Sequence, residues 1–185
     1  MRLRLLALAV IFFATGLSPA AASEADAWAA LREGGVAVMR HARAPGTGDP
    51  SDFRLGDCST QRNLSETGRD QSRAIGQRFA GEGVEVQRVL HSRWCRARDT
   101  AELAFPGKAE PEPALDSFFQ NRSTRGTQTA AARELVEAWR GPGALVLVSH
   151  QVNVTALTGV YPREGEAVVL RTAPGGMEVV GRLRF

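Results

Sequence analysis

The chain has 185 residues, of which 43% are hydrophobic and 23% charged; this is enough apolar material for one globular domain with a real core, with no reason to divide it in two. Its formal net charge is +3, but Arg2 and Arg4 fall in an N-terminal leader and every acidic residue lies from Glu24 onward. The remainder is close to neutral, which gives no electrostatic footprint for nucleic acid, and no nucleic-acid partner is expected.

The leader runs from Met1-Arg2-Leu3-Arg4 through an almost wholly apolar Leu5 to Leu17 and into Ser18-Pro19-Ala20-Ala21-Ala22-Ser23. Positive charge, a short apolar stretch and small residues in that order read as a secretory signal peptide. It is expected to occupy residues 1–22, leaving a domain over 23–185. The apolar stretch is short of the ~20 residues a spanning helix needs, so no stable membrane anchor is expected after cleavage, and the destination is periplasmic or secreted. Two cysteines, Cys58 and Cys95, would then sit in an oxidising compartment, which favours a disulfide over two unrelated thiols.

After the leader, Glu24 to Arg32 reads as a short helix carrying Trp28 and Leu31 and closed by Gly34-Gly35. The apolar run Val36 to Met39 predicts a strand that stops on Arg40-His41. From Ala44 to Thr60 the prolines and glycines at 45, 46, 48, 50 and 56 rule out regular structure. A loop of this length leaving directly from His41 is expected to border a pocket. A helix capped by Ser65 or Thr67 then runs to about Ala80, with Ile75 and Phe79 inward. Val84 to His91 contains a strand, and a helix follows from about Cys95 to Leu103.

Pro111 to Leu115 is too rich in proline for a central strand and reads as a connection delivering Asp116, Phe118 and Phe119. Thr127 to Trp139 resumes a helical pattern. Ala144 to Ser149 is a second uninterrupted apolar strand, stopping on His150, and Val152 to Thr158 makes a short helix. Ala167 to Leu170 and Met177 to Val180, joined through Pro174-Gly175-Gly176, predict a hairpin or antiparallel edge. Strands alternating with helices imply an α/β class, a three-layer α/β/α arrangement around a mainly parallel central sheet.

Apolar runs without polar alternation suit parallel strands buried on both faces, and ligands in such folds bind beyond the carboxyl ends of the strands. Three strand ends here carry Arg40-His41, Ser92 with Arg96 a turn later, and His150. Arginine's planar fork pairs bidentately with phosphate or carboxylate and stays charged at any working pH. Two converging arginines would make an anion pocket. His91 at a strand end is more often structural, and Arg98 is expected to face solvent or an acidic neighbour. A zinc site of His41, His91 and His150 would place Arg40 and Arg96 against a cation and ranks below the anion pocket.

On these residues the chain resembles the histidine phosphatase superfamily, the phosphoglycerate-mutase-like fold. Its Arg-His-Gly signature stands here as Arg40-His41-Ala42, and its Leu-(Ser/Thr)-x-x-Gly segment as Leu64-Ser65-Glu66-Thr67-Gly68. The Ser-x-x-x-Arg-Ala-x-x-Thr segment is complete as Ser92, Arg96, Ala97 and Thr100, and the strand-His element is Val146 to His150. The resemblance implies that His41 is the nucleophile that carries the phosphoryl group, while Arg40, Arg96 and His150 bind its equatorial oxygens. Relatives supply a proton donor as a glutamate in a Leu-x-Glu segment; here the region reads Leu115-Asp116-Ser117. Asp116 is the candidate acid, displaced by one residue, with a turn-capping aspartate as the alternative.

These features imply a metal-independent phosphatase of the histidine acid phosphatase type, a phosphoric monoester hydrolase with a small phosphorylated substrate and no cofactor. A mutase would need a lid holding a second phosphate, for which the chain has little insertion. The alternatives are a non-catalytic binding module for phosphorylated ligands and a phosphatase specific for phosphorylated cell-envelope sugars.

Overall fold

Helix α1 (Glu24–Arg32) starts on Ser23, whose hydroxyl accepts the Asp26 N–H while the Asp26 carboxylate accepts the Ser23 N–H; the exchange satisfies donors that a helix start leaves unpaired. The chain then forms β1 (Val36–Arg40), α2 (Glu66–Gly81), β2 (Val86–His91), α3 (Cys95–Ala104), β3 (Ala109–Pro111), α4 (Arg125–Ala138), β4 (Ala144–Ser149), α5 (Gln151–Thr158), β5 (Ala167–Ala173) and β6 (Gly176–Leu183). This computed structural model describes residues 23–185. The signal peptide expected over 1–22 lies outside the described residues. Among the described residues no helix is long and apolar enough to cross a membrane.

The six strands form one sheet in the order β3-β2-β4-β1-β5-β6. Strands β3, β2, β4 and β1 are mutually parallel, and β5 and β6 complete the sheet antiparallel, as the hairpin pattern implied. Alternate residues of the central strands feed two cores. Ala37, Met39, Val146 and Val148 pack with Trp28, Phe79 and Ala101 of α1, α2 and α3. Val36, Val38, Leu145 and Leu147 pack on the opposite face with Val136 of α4 and Val154 of α5. Apolar partners on both faces are the reason these strands carry no polar alternation.

Strand β3 was not expected. Its last residue, Pro111, belongs to the proline-rich segment read as a connection, yet it pairs opposite His91. The strand lies at the outer edge of the sheet, where the N–H that proline lacks is not needed by a further neighbour.

The pairing register sets the height of the functional strand ends. Arg40 lies opposite Ser149, and both His91 and Met39 lie opposite Val148. The ladder continues one residue beyond each strand, with the His41 N–H donating to Ser149 O and the Ser92 N–H to Val148 O, each at 2.9 Å. His41, Ser92 and the neighbouring His150 thus emerge side by side at the carboxyl edge of the sheet.

Candidate active site

The rings of His41 and His150 meet at this edge, with centroids 5.5 Å apart, and both residues are buried. His41 Nδ1 lies 2.7 Å from Ala42 O. A carbonyl only accepts, so Nδ1 carries the proton and Nε2 keeps its lone pair. His150 Nδ1 accepts from Arg96 Nη2 at 3.5 Å, which puts its proton on Nε2, 2.8 Å from Ser92 Oγ. Burial first and the Arg96 charge second push both imidazoles well below the ordinary histidine range, so both rings are neutral near pH 7.

Three arginines surround the two rings, each with a carboxylate beside it. Arg96 gives Nη1 and Nη2 to the two oxygens of Asp49, at 2.6 and 3.1 Å, and the two side chains are 3% and 4% exposed. Glu164 lies 3.3 Å from Arg40 and 3.9 Å from Arg62. Burial, then the Arg96 charge, pushes Arg62 down to about 10, so it too is charged at neutral pH. Burial alone would raise the Asp49 carboxyl, but its bonds to Arg96, the Arg62 N–H and the Trp94 indole outweigh that and hold it below the usual carboxylate range.

The guanidinium Nε atoms of Arg40 and Arg96 are buried without hydrogen-bond partners. A buried, charged donor left unpaired is costly, and two in one pocket describe a site that an oxyanion would complete. Arg40, His41, Arg62, Arg96 and His150 line a cavity of about 150 Å³, with Phe119 and Tyr161 at its exposed mouth. That is well below the ~300 Å³ where small-molecule sites usually begin.

The sequence segments that suggested the site each hold a piece of it in place. Thr100 Oγ1 accepts the Ala42 N–H at 3.0 Å and donates to Arg96 O at 2.7 Å, tying α3 to the residue after His41. Ser65 is the cap of α2, accepting the Gly68 N–H at 3.1 Å, and its own N–H donates to Arg43 O. A Cβ on Gly68 would collide with that same Arg43 carbonyl, so only glycine allows the helix to approach. The loop after His41 does border the pocket, through Gly46, Thr47, Gly48 and Asp49. Cys58 and Cys95 are joined as a disulfide with Cα atoms 5.7 Å apart, which fastens the far end of that loop to the residue before Arg96.

Of the residues singled out in the sequence, His41, His150, Arg40 and Arg96 come together and Asp116 does not. The Asp116 carboxylate is buried beside the site, bound by the Arg93 N–H at 2.9 Å and by Arg93 Nε at 2.8 Å and Nη2, and it accepts from Ser92 Oγ at 3.4 Å. It touches the cavity only through Ser92 and His150, and it is Ser117, the next residue, that lines the wall. Arg98 pairs with Asp99 at 2.8 Å, and His91 Nδ1 lies 2.8 Å from Ser92 O; neither lines the cavity. Among the described residues no group of three or more His, Cys, Asp or Glu side chains is placed to share a metal ion. The sequence reading passed over Arg62, Asp49 and Glu164. Arg62 stands two residues before Leu64 of a recognised segment and could have been found there; Glu164 carried no signal.

Fold and site together define an α/β protein with an oxyanion pocket built on two neutral histidines. The model of the histidine phosphatase superfamily (branch 1) matches residues 36–141, and the chain belongs to that superfamily. An uncharacterised protein of Picosynechococcus is 34% identical over 95 residues, a match covering 50% of this chain and 55% of that protein; the chain thus spans about half the length of this curated relative. The fold is that of the protein histidine phosphatase SixA, solved with tungstate, at a TM-score of 0.59, 23% identity and coverage of 80% of this chain and 96% of that one. An open-reading-frame product of Mycobacterium tuberculosis superposes at a TM-score of 0.62, with 16% identity over 80% and 96% of the two chains.

Proposed function

We propose that the protein is a metal-independent phosphatase that hydrolyses a phosphorylated small molecule through a phosphohistidine on His41. The observation that carries this reading is the pairing of a neutral His41, its Nε2 lone pair available, with the partnerless Nε donors of Arg40 and Arg96 in one buried cavity. In the first step Nε2 attacks phosphorus and the leaving group departs with the electron pair of its bond. Arg40, Arg62, Arg96 and His150 hold the equatorial oxygens, whose charge needs preorganised donors. Water then attacks the phosphohistidine and returns His41 to its neutral form. Ser92 fixes the His150 ring, and Asp116, bonded to Ser92, acts on the site through it.

The same reading places the mature protein, residues 23–185, in the periplasm or outside the cell; the Cys58–Cys95 disulfide supports an oxidising compartment. The mature protein should turn over an aryl phosphate with a chelator present. His41→Ala should reduce that turnover on the order of 10⁶-fold, as loss of a covalent nucleophile does. Retained turnover in His41→Ala defeats the mechanism, and a wild type that binds vanadate but cleaves no substrate makes the protein a binding module.

A further inference from the structure

A phosphoryl group held by Arg40, Arg96 and His150 is still bonded to the rest of its substrate, and that remainder reaches solvent past the mouth of the cavity. Among the described residues four large apolar side chains are exposed, and two of the four, Phe119 and Tyr161, line this one cavity. Apolar residues scattered singly over a surface need no explanation, whereas exposed rings gathered on a ligand cavity mark what it binds. Around them the lining is neutral, with Thr47, Ser117, Gln120 and Gln151, so the aromatic rings are the strongest handle the mouth offers.

The local structure holds both rings outward. Phe118 and Phe119 are neighbours with opposite surroundings: Phe118 is 4% exposed and anchors its segment in the interior, while Phe119 is 44% exposed. Core packing accounts for the first ring and not for the second. The Phe119 N–H donates to Ser117 Oγ, and Gln120 Nε2 donates to Asp49 O, each at 3.3 Å. A Cβ added at Gly48 would stand 3.9 Å from Phe119 Cε1, so the edge of the ring rests against the loop that follows His41. Tyr161, 67% exposed, accepts at its carbonyl from Arg182 Nη2 at 3.2 Å, and Pro162 restricts its backbone to extended conformations. Aromatic side chains on fixed backbones lose little conformational freedom when a ligand covers them.

Building on the phosphatase reading above, we propose that the substrate carries a flat aromatic ring on the group that bears the phosphate, and that Phe119 and Tyr161 are the specificity residues that bind it. Contacts to the part of a substrate that does not react still raise kcat/KM. A ring laid against these two gains the burial of three apolar surfaces together with the preferred geometries of aromatic pairs.

The test compares benzyl phosphate with cyclohexylmethyl phosphate, which match in size and in the ester bond and differ in the ring. The wild-type mature protein should favour the benzyl ester in kcat/KM by about twofold to tenfold, the gain of an aromatic pair beyond its area. The double variant Phe119→Ala, Tyr161→Ala, altered only at exposed side chains, should bring that ratio to one. Equal values for the two esters in the wild type overturn the inference, as does a ratio that survives in the double variant. Uridine monophosphate against ribose phosphate asks the same of a ring one sugar further from phosphorus; a preference confined to either pair keeps the inference and fixes the spacing. Calorimetric binding of benzylphosphonate and cyclohexylmethylphosphonate separates the two readings. Tighter binding of the benzyl compound without turnover of any ester defeats the phosphatase reading and leaves ring recognition standing, while equal turnover and equal binding do the reverse.

Discussion

The floor and the front wall of the pocket are held by different forces. The floor hangs from β2, β4 and β1, whose backbone ladder sets His41 beside Ser149 and Ser92 beside Val148. The front wall is the loop that leaves Ala42, and it has little ladder of its own. It is held by Arg62, which donates to Gly48 O at 3.0 Å and to Ala44 O, by Asp49 on Arg96, and by the disulfide at its end. In the floor, strand register sets the height at which each residue emerges. In the front wall, each residue depends on a partner from another part of the chain. The loop is therefore a working part of the site: Asp49 accepts from both terminal nitrogens of Arg96, and Arg62 O accepts from Nη1 as well.

The largest effect should come from breaking that dependence. Asp49→Ala strips the buried Arg96 guanidinium of its carboxylate partner, and an uncompensated buried charge costs about 3–5 kcal/mol. Urea unfolding should show the lower midpoint, and added phosphate or tungstate should restore part of it by occupying the arginines. An unchanged midpoint would mean that the front wall and floor are energetically separate.

A smaller effect is expected behind the floor. Asp116→Asn weakens the Arg93 pair and the bond to Ser92, and should lower kcat/KM about tenfold, by the same factor for good and poor leaving groups. A loss confined to poor leaving groups would restore Asp116 as the acid that the sequence suggested.

The mildest probe is pH. His41 and His150 are held well below the ordinary histidine value by burial and then by Arg96. An unfolded chain would protonate both rings near pH 6.5 while the folded chain does not. The unfolded state then binds more protons, so stability is fully present above about pH 6.5 and is lost as pH falls below it. Each unit of acidification there costs up to about 1.4 kcal/mol per ring until the ring protonates in the folded state. Thermal melts across that range would show the slope, and a flat profile would contradict neutral, buried histidines.

How much of this was legible depended on how local the signal was. Strand ends and a helix cap at Ser65 or Thr67 follow from patterns a few residues long, and Arg40, His41, Arg96 and His150 could be read as one set from the sequence. Strand β3 was missed because proline argues against a central strand, and whether a strand is central or at an edge is not a local property. Asp116 shows the division within one residue: its place after Leu115 is sequence, while its bonds to Arg93 and Ser92 are packing.

The order of amino acids by itself determined an α/β chain whose apolar strands stop on two histidines and two arginines, because burial on both faces and the chemistry of the strand ends leave short-range marks. Only the tertiary structure decided which carboxylate meets which arginine. Asp49 and Arg96 are 47 residues apart and Arg40 and Glu164 are 124 apart, and an ion pair across such distances follows no periodicity. Its energy depends on the burial that the completed fold creates.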